Sequence, residues 1–202
     1  AQYEPQGRAW MAMAPKTLFV IAAGNDGTNN DVIPVFPANV KASNAITVAA
    51  SKDYTDIADF SNYGIRSVDV AAPGVSIVAS VPSLDNNKTL PMSGTSMAAP
   101  YVAGVAAHMK TLNPSLTAEE LKMILMSTVD KKEWLAEKVT SGGVVNHTRA
   151  YRAAELAKTM LLDQAISTAL AEVADVPVTH QPLHKRVVIP QHIQDSVNQF
   201  VF

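Results

Sequence analysis

The stretch GTSMAAPYVAG, from Gly94 to Gly104, surrounds one serine with glycine and alanine and places a proline four residues after it. Alanine remains frequent beyond this stretch, so there is little side-chain bulk and other elements can pack closely against the backbone. We therefore predict a buried helix from residue 95 to about residue 112. Since proline is tolerated where helix amides have no carbonyl partner, Pro100 places the helix start at or just before Ser96.

A serine at the start of a buried helix is well placed to take part in a reaction that develops negative charge. The free amides and the positive end of the helix dipole stabilise negative charge there, so the N–H of Ser96 can hold a developing oxyanion. The side-chain amide of Asn25, after the apolar run VIAAG, can supply a second donor. The alternatives are ordinary: serine is a frequent N-cap, and Gly-Asn is a frequent turn.

Three apolar runs rich in β-forming residues each end at turn residues. They are TLFVIAAG (17–24), NAITVAAS (44–51) and VDVAAPGV (68–75), separated by polar loops. Strands that are apolar on both faces are typical of parallel sheets covered by helices. The sequence therefore predicts an α/β fold with a mostly parallel sheet.

The rest of the chain divides into helices and a tail. Thr117 and Glu120 form a capping box before an amphipathic helix, and a further helix is expected at residues 148–173. From Pro177 the chain reads as an extended tail with one short strand at KRVVI (185–189). The first ten residues have no strand or cap pattern. We divide the chain at residue 158, into a main domain (1–158) and an extension (159–202).

Composition narrows the functional classes. The chain has 202 residues, and 48% of them are apolar. Its formal net charge is −2, so it has no excess of positive charge that would attract nucleic acid or an anionic membrane. The absence of cysteine excludes disulfides, thiolate metal sites and a cysteine nucleophile, and leaves the compartment open. No stretch reaches the ~18–20 apolar residues of a membrane span.

Four motifs carry a resemblance to a known family. VIAAGNDG, DFSNYG, VDVAAPGVSI and MSGTSMAAPYVAGVAA resemble, in order and spacing, the C-terminal half of the catalytic domain of subtilisin-like serine proteases, from about residue 12 to residue 157. The resemblance implies a three-layer α/β/α fold with a doubly wound sheet. It implies a serine endopeptidase in which Ser96 is the nucleophile and Asn25 is the oxyanion-hole side chain.

The resemblance also implies substrate contacts. A strand edge lines the pocket for the residue before the scissile bond, an acidic residue beyond it biases charge preference, and an oxidisable methionine follows the nucleophile. The candidate substrate-binding residues are Ala22, Ala23, Gly24, Asp26, Ser93 and Met97. Three positions depart from the family pattern: Ala99 stands for serine or threonine, Tyr101 for histidine, and Ser93 for the asparagine of many members.

The catalytic base is missing from the sequence around Ser96. In subtilisins the chain order is Asp, His, Ser, and no histidine precedes Ser96 here. His108, twelve positions along the same helix, is about 18 Å away and is expected to be a half-buried structural residue. His147 is expected beside a helix cap. The tail histidines fit no metal-ligand spacing and are expected at the surface: His180, His184 and His192. No lysine lies near Ser96 in a motif that would suggest a Ser-Lys pair.

We therefore expect an N-terminal fragment of the same precursor to supply the aspartate and the histidine. Without it the three-stranded sheet is incomplete, and Ala1 is then a product of zymogen processing. A peptide or protein substrate is the other expected partner.

No cofactor is required for this chemistry, and no metal site is predicted. Calcium is expected only as an optional structural ion, because Asp69 matches an acidic residue that binds a cation in some relatives; the alternative is a strand-end aspartate that satisfies loop amides. The resemblance favours a secreted or cell-envelope location. Two other functions stay open: a non-catalytic relative that binds a peptide, and an unrelated α/β domain with an alanine-rich helix.

Overall fold

The computed structural model describes residues 3–80 and 89–176 of the chain. It contains both α-helices and β-strands, as expected for an α/β protein. In chain order they are α1 (Glu4–Ala12), β1 (Phe19–Ala22), β2 (Ala45–Lys52), β3 (Asp56–Ile57), β4 (Val70–Pro73), β5 (Ile77–Ser80), β6 (Thr89–Met92), α2 (Thr95–Leu112), α3 (Ala118–Ser127), β7 (Asp130–Lys131), a 3₁₀ turn (Glu133–Leu135), β8 (Gly143–Val144), α4 (His147–Leu156) and α5 (Leu162–Glu172).

The three predicted strands form a parallel sheet. The order in the main sheet is β1-β2-β4-β8-β7, and Val48 of β2 is paired with Ala22 on one side and Val70 on the other. β8 continues the parallel pairing, while β7 and the short β3 run antiparallel to their neighbours. The prediction of a mostly parallel sheet is confirmed. A separate hairpin of β5 and β6 projects just before α2.

Helices cover both faces of this sheet. Alternate residues of β2, such as Ile46 and Val48, face α2 and belong to the main core, which also contains residues of α3, α4 and α5. The intervening residue Ala49 faces the opposite side, where Leu135 of the 3₁₀ turn packs. Met11 of α1 covers β1 on that side. The α/β class and its layered arrangement are therefore confirmed.

The buried helix has the predicted bounds, but Pro100 lies deeper in the helix than predicted. α2 begins at Thr95, and Pro100 is its sixth residue rather than part of its first turn. The expectation that Pro100 marks the helix start by occupying a partnerless amide is therefore wrong. Its missing N–H instead leaves the carbonyl of Ser96 without its ordinary donor four residues on.

Two further predictions are corrected. The helix expected at residues 148–173 is two helices, because Leu161 adopts an extended backbone (φ −62°, ψ 146°) and α5 folds back along α4. This turn buries Ala165 and Ile166. No element was predicted in the first ten residues, whereas residues 4–10 form most of α1.

Since α5 packs in the main core, part of the predicted extension lies on the body. The division at residue 158 stays a prediction. The tail, its strand at 185–189 and its three histidines lie outside the described residues.

The capping box gives a direct test of the helix assignment. The N–H of Glu120 donates to Thr117 Oγ1 at 3.2 Å, and the N–H of Thr117 donates to Glu120 Oε2 at 2.7 Å. We expect Thr117→Ala to lower the free energy of unfolding by about 1 kcal/mol, because one helix amide loses its acceptor. Thr117→Ser keeps a hydroxyl and should unfold like the wild type in denaturant titrations. Equal midpoints for the two variants would contradict the capping role.

Candidate active site

Asn25 and the start of α2 are joined by two hydrogen bonds. Asn25 follows β1, and its carboxamide oxygen accepts from the N–H of Thr95 at 2.8 Å and from Thr95 Oγ1 at 2.9 Å. Thr95 is fully buried, whereas the next residue, Ser96, is exposed. The structure therefore brings the two principal predicted site residues to the same helix start.

This bonding determines what Asn25 can offer a ligand. Because the carboxamide oxygen is used by Thr95, the amide nitrogen Nδ2 is the end available to donate. Ser96 is the second residue of α2, where an N–H has no acceptor within its own helix. Asn25 Nδ2 and the Ser96 N–H are thus two hydrogen-bond donors beside the Ser96 hydroxyl. An oxyanion hole needs donors of this kind.

Thr95 is a further residue of this site and was not predicted from the sequence. Its hydroxyl donates to Asn25 and accepts from the N–H of Gly24 at 3.2 Å, so it links both residues of the Gly-Asn pair to α2. The available signal was its place directly before Ser96 in the longest motif.

Gly24 occupies a position that only glycine fits. Its φ is +114°, and a Cβ added there would lie 2.4 Å from Nδ2 of Asn62. Asn62 belongs to the motif DFSNYG, and neither it nor Asn30 was predicted as a site residue. Both asparagines have no exposed surface.

The described histidines have other partners. His147 begins α4 beside the N-cap Asn146, as predicted, and its Nδ1 lies 3.0 Å from the hydroxyl of Tyr101. Burial raises the pKa of Tyr101 above its ordinary value, so this hydroxyl stays protonated. His108 is exposed and packs against Tyr151 with ring centroids 4.4 Å apart and ring planes tilted by 49°, so the expectation of a half-buried residue is wrong.

Comparison with known proteins agrees with this geometry. Residues 3–153 match the sequence model of the Subtilase family, Peptidase_S8. The chain belongs to the subtilase family.

Its relatives include proteases of fungi and bacteria. It is 44% identical to the subtilase-type proteinase psp3 of Schizosaccharomyces pombe over 112 residues, which are 55% of this chain and 24% of that protein. It is 36% identical to an extracellular protease of Xanthomonas campestris over 151 residues, covering 71% of this chain and 25% of the relative. A solved protease of Pseudoalteromonas arctica superimposes with a TM-score of 0.57 at 36% identity, covering 71% and 44% of the two chains. The subtilase chain thus spans less than half the length of these proteins.

The candidate substrate contacts of this subtilase differ in accessibility. Asp26 is exposed, and Ala22, Gly24 and Met97 are partly exposed, so their predicted roles stand as predictions. Ala23 is different: its side chain is fully buried, its N–H donates to Val48 O, and its carbonyl accepts from Asn30. All of its groups are engaged within the protein, which argues against Ala23 as a substrate contact.

Ser93 has a structural role in this subtilase. Its hydroxyl accepts from the N–H of Ser76 at 2.9 Å, across the base of the hairpin formed by β5 and β6. Ser76 has a positive φ of 55°, so the bond supports a strained turn. Contact of Ser93 with a substrate stays a prediction.

Asp69 is surrounded by cationic side chains. Its Oδ1 lies 3.3 Å from Lys41 Nζ and 3.8 Å from Lys122 Nζ, and its Oδ2 accepts from the N–H of Thr47 at 2.7 Å. Burial lowers the pKa of Lys122, and Asp69 opposes that shift. The described residues include no group of three or more His, Asp or Glu side chains arranged to hold a metal ion. Calcium stays an untested expectation.

Among the described residues, none of the helices combines the length and the apolar content that a membrane span requires.

The backbone requirement at Gly24 is testable with a paired substitution. Gly24→Ala should lower the free energy of unfolding by at least about 1–2 kcal/mol, because its φ is positive and the new methyl meets Asn62. Gly104→Ala is the control: its added Cβ meets no atom within 4 Å, and alanine in a helix should stabilise by up to about 1 kcal/mol. Thermal unfolding measures both, and a Gly24→Ala protein as stable as the wild type would refute the close approach.

Proposed function

We propose that this chain is the nucleophile-bearing part of a serine endopeptidase. The observation that carries the proposal is the Asn25 carboxamide, held by Thr95 at the start of α2 with its amide free to donate beside the exposed Ser96. Membership of the subtilase family supports the same function. Because the relatives are longer, the activity of the whole protein is part of this proposal.

The proposed reaction is acyl transfer to Ser96. Its Oγ bonds to the carbonyl carbon of the peptide while its proton passes to a base, and the oxyanion accepts hydrogen bonds from Asn25 Nδ2 and the Ser96 N–H. The C–N bond then breaks, and the leaving amine takes the proton from the base. Water repeats the sequence on the acyl-enzyme and releases the second product.

The base and its partner are proposed to come from a polypeptide segment N-terminal to this chain. The family order of catalytic residues places both before the serine, and no histidine precedes Ser96 here. A histidine oriented by an aspartate would have to approach Ser96 from outside the described residues.

The edge strand β1 is suited to receive such a segment. Phe19 and Ala23 direct their N–H groups to β2, so the backbone groups of Val20 and Ala22 face the other side, where no strand pairs among the described residues. Between β1 and α2 lies a groove of about 220 Å³ whose lining is mostly apolar and includes Lys16 and Lys110. Its apolar residues are Leu18, Val20, Ala103, Ala106, Ala107, Leu116 and Leu121. An added parallel strand would extend the sheet and place apolar side chains in this groove.

Labelling with a fluorophosphonate tests the proposal, because phosphonylation of serine requires an assembled base. We expect the chain together with its N-terminal segment to be labelled at Ser96, and the isolated chain and Ser96→Ala to remain unlabelled. Asn25→Ala should label about 10²–10³-fold more slowly, the general cost of removing one oxyanion donor. Peptide mapping of the labelled protein identifies the residue, and native mass spectrometry identifies the segment.

Two outcomes would contradict this function. Labelling elsewhere than Ser96 would reject the nucleophile. Absence of labelling in a complete, folded protein that contains the histidine would favour the alternative, a non-catalytic subtilase that binds peptides.

A further inference from the structure

The loop from Ala23 to Asn30, which carries Asn25, is shaped by a buried pair of asparagines. Asn62 Oδ1 accepts from the N–H of Asp26 at 2.8 Å and from the N–H of Thr28 at 3.2 Å. These amides lie on either side of the turn that follows Asn25. One carboxamide oxygen therefore holds the backbone just beyond the proposed oxyanion donor.

The nitrogen of the same carboxamide holds the other end of the loop. Asn62 Nδ2 donates to Asn30 Oδ1 at 3.0 Å, and Asn30 Nδ2 donates to the carbonyl of Ala23 at 2.8 Å. The N–H of Asn62 also donates to the carbonyl of Gly24 at 2.9 Å. The residues before and after Asn25 are thus bound to one rigid group.

An asparagine is the side chain that meets these demands. The position needs an acceptor for two N–H groups and a donor for Asn30 at the same time, and among short side chains only a carboxamide offers both in a fixed plane. The fit is tight, because Asn62 Nδ2 lies 2.4 Å from where a Cβ of residue 24 would be. Full burial makes each lost partner costly.

We propose that Asn62 is a positioning residue for the oxyanion site, an inference that rests on the proposed function. Its side-chain hydrogen bonds within the described residues go to Asp26, Thr28 and Asn30. It acts through the backbone around Asn25, which determines whether the Asn25 carboxamide meets Thr95. Asn30 completes the brace by fixing Ala23.

The expected kinetic effect is intermediate. A misplacement of about 1 Å in a catalytic geometry can cost about 10²-fold in rate, whereas complete loss of an oxyanion donor costs about 10²–10³-fold. Asn62→Ala should therefore lower the maximal rate of fluorophosphonate labelling, kinact, by about 10–100-fold. The apparent binding constant KI should change little, because probe binding does not depend on the oxyanion donors.

A second buried asparagine provides a matched control. Asn44 is 5% exposed and donates to the carbonyls of Met11, Ala14 and Thr17, each at 3.0 Å, at the other end of β1 from Asn25. Asn44→Ala also removes backbone hydrogen bonds from a buried carboxamide. It should lose stability as Asn62→Ala does, yet keep the wild-type kinact.

The test compares the wild type, N62A, N44A, N25A and the double variant N25A/N62A in the complete protein, below the lowest unfolding temperature. If Asn62 acts through Asn25, the double variant should label no more than about twofold slower than N25A. The proposal is overturned if N62A labels as fast as N44A, or if the two losses multiply in the double variant. Should N62A fail to fold, Asn62→Ser serves in the same comparison.

Amide hydrogen exchange gives a readout that needs no activity. The N–H of Thr95 donates to Asn25, so N62A should accelerate its exchange by at least tenfold relative to N44A. Equal protection in the two variants would reject the positioning role. If the wild type is not labelled at all, the proposed protease function fails, while exchange at Thr95 still decides the role of Asn62.

Discussion

The hydrogen bonds from Thr95 to the Asn25 carboxamide join the two parts of the molecule on which its chemistry depends. One part is the carboxyl end of the parallel edge strand β1, and the other is the amino end of α2, which packs across the same sheet. Alone, the strand end would leave the Asn25 carboxamide without a partner, and the helix start would leave the Thr95 N–H without one. Because the Asn25 oxygen accepts from Thr95, the Asn25 amide nitrogen, the Ser96 N–H and the Ser96 hydroxyl are left exposed together.

Precision at that edge is obtained from buried polar groups rather than from apolar packing. Carboxamides suit this use, since each can accept and donate in one plane, and burial makes an unmet bond costly. A similar arrangement fixes the opposite end of the described chain. Asp130 is fully buried and accepts from Arg149, Asn146 and the N–H of Val176, which holds the segment after α5 against the body.

β1 is an edge strand of the main sheet. On its side away from β2, no strand pairs with it among the described residues, and its backbone groups lie beside a mostly apolar groove. The exposed Ser96 lies near the carboxyl end of this edge strand, where Thr95 bonds Asn25. The same geometry therefore agrees with the lack of a histidine before Ser96 and with the partial coverage of the relatives. In the proposed function, one N-terminal segment supplies both a strand paired to β1 and a base beside Ser96.

The sequence by itself determined three parallel strands of the main sheet, the helix from residue 95 to residue 112, the capping box and the family, because apolar runs, alanine content and short motifs are local properties. It also indicated Ser96 and Asn25. It did not show the break before α5, since the energy of folding α5 back onto α4 comes from contacts made only in the folded core. The place of Pro100 within α2 is likewise determined by packing. Thr95, Asn30 and Asn62 escaped notice because their roles depend on hydrogen bonds between segments 7 to 71 residues apart in the chain, which only the tertiary structure brings together.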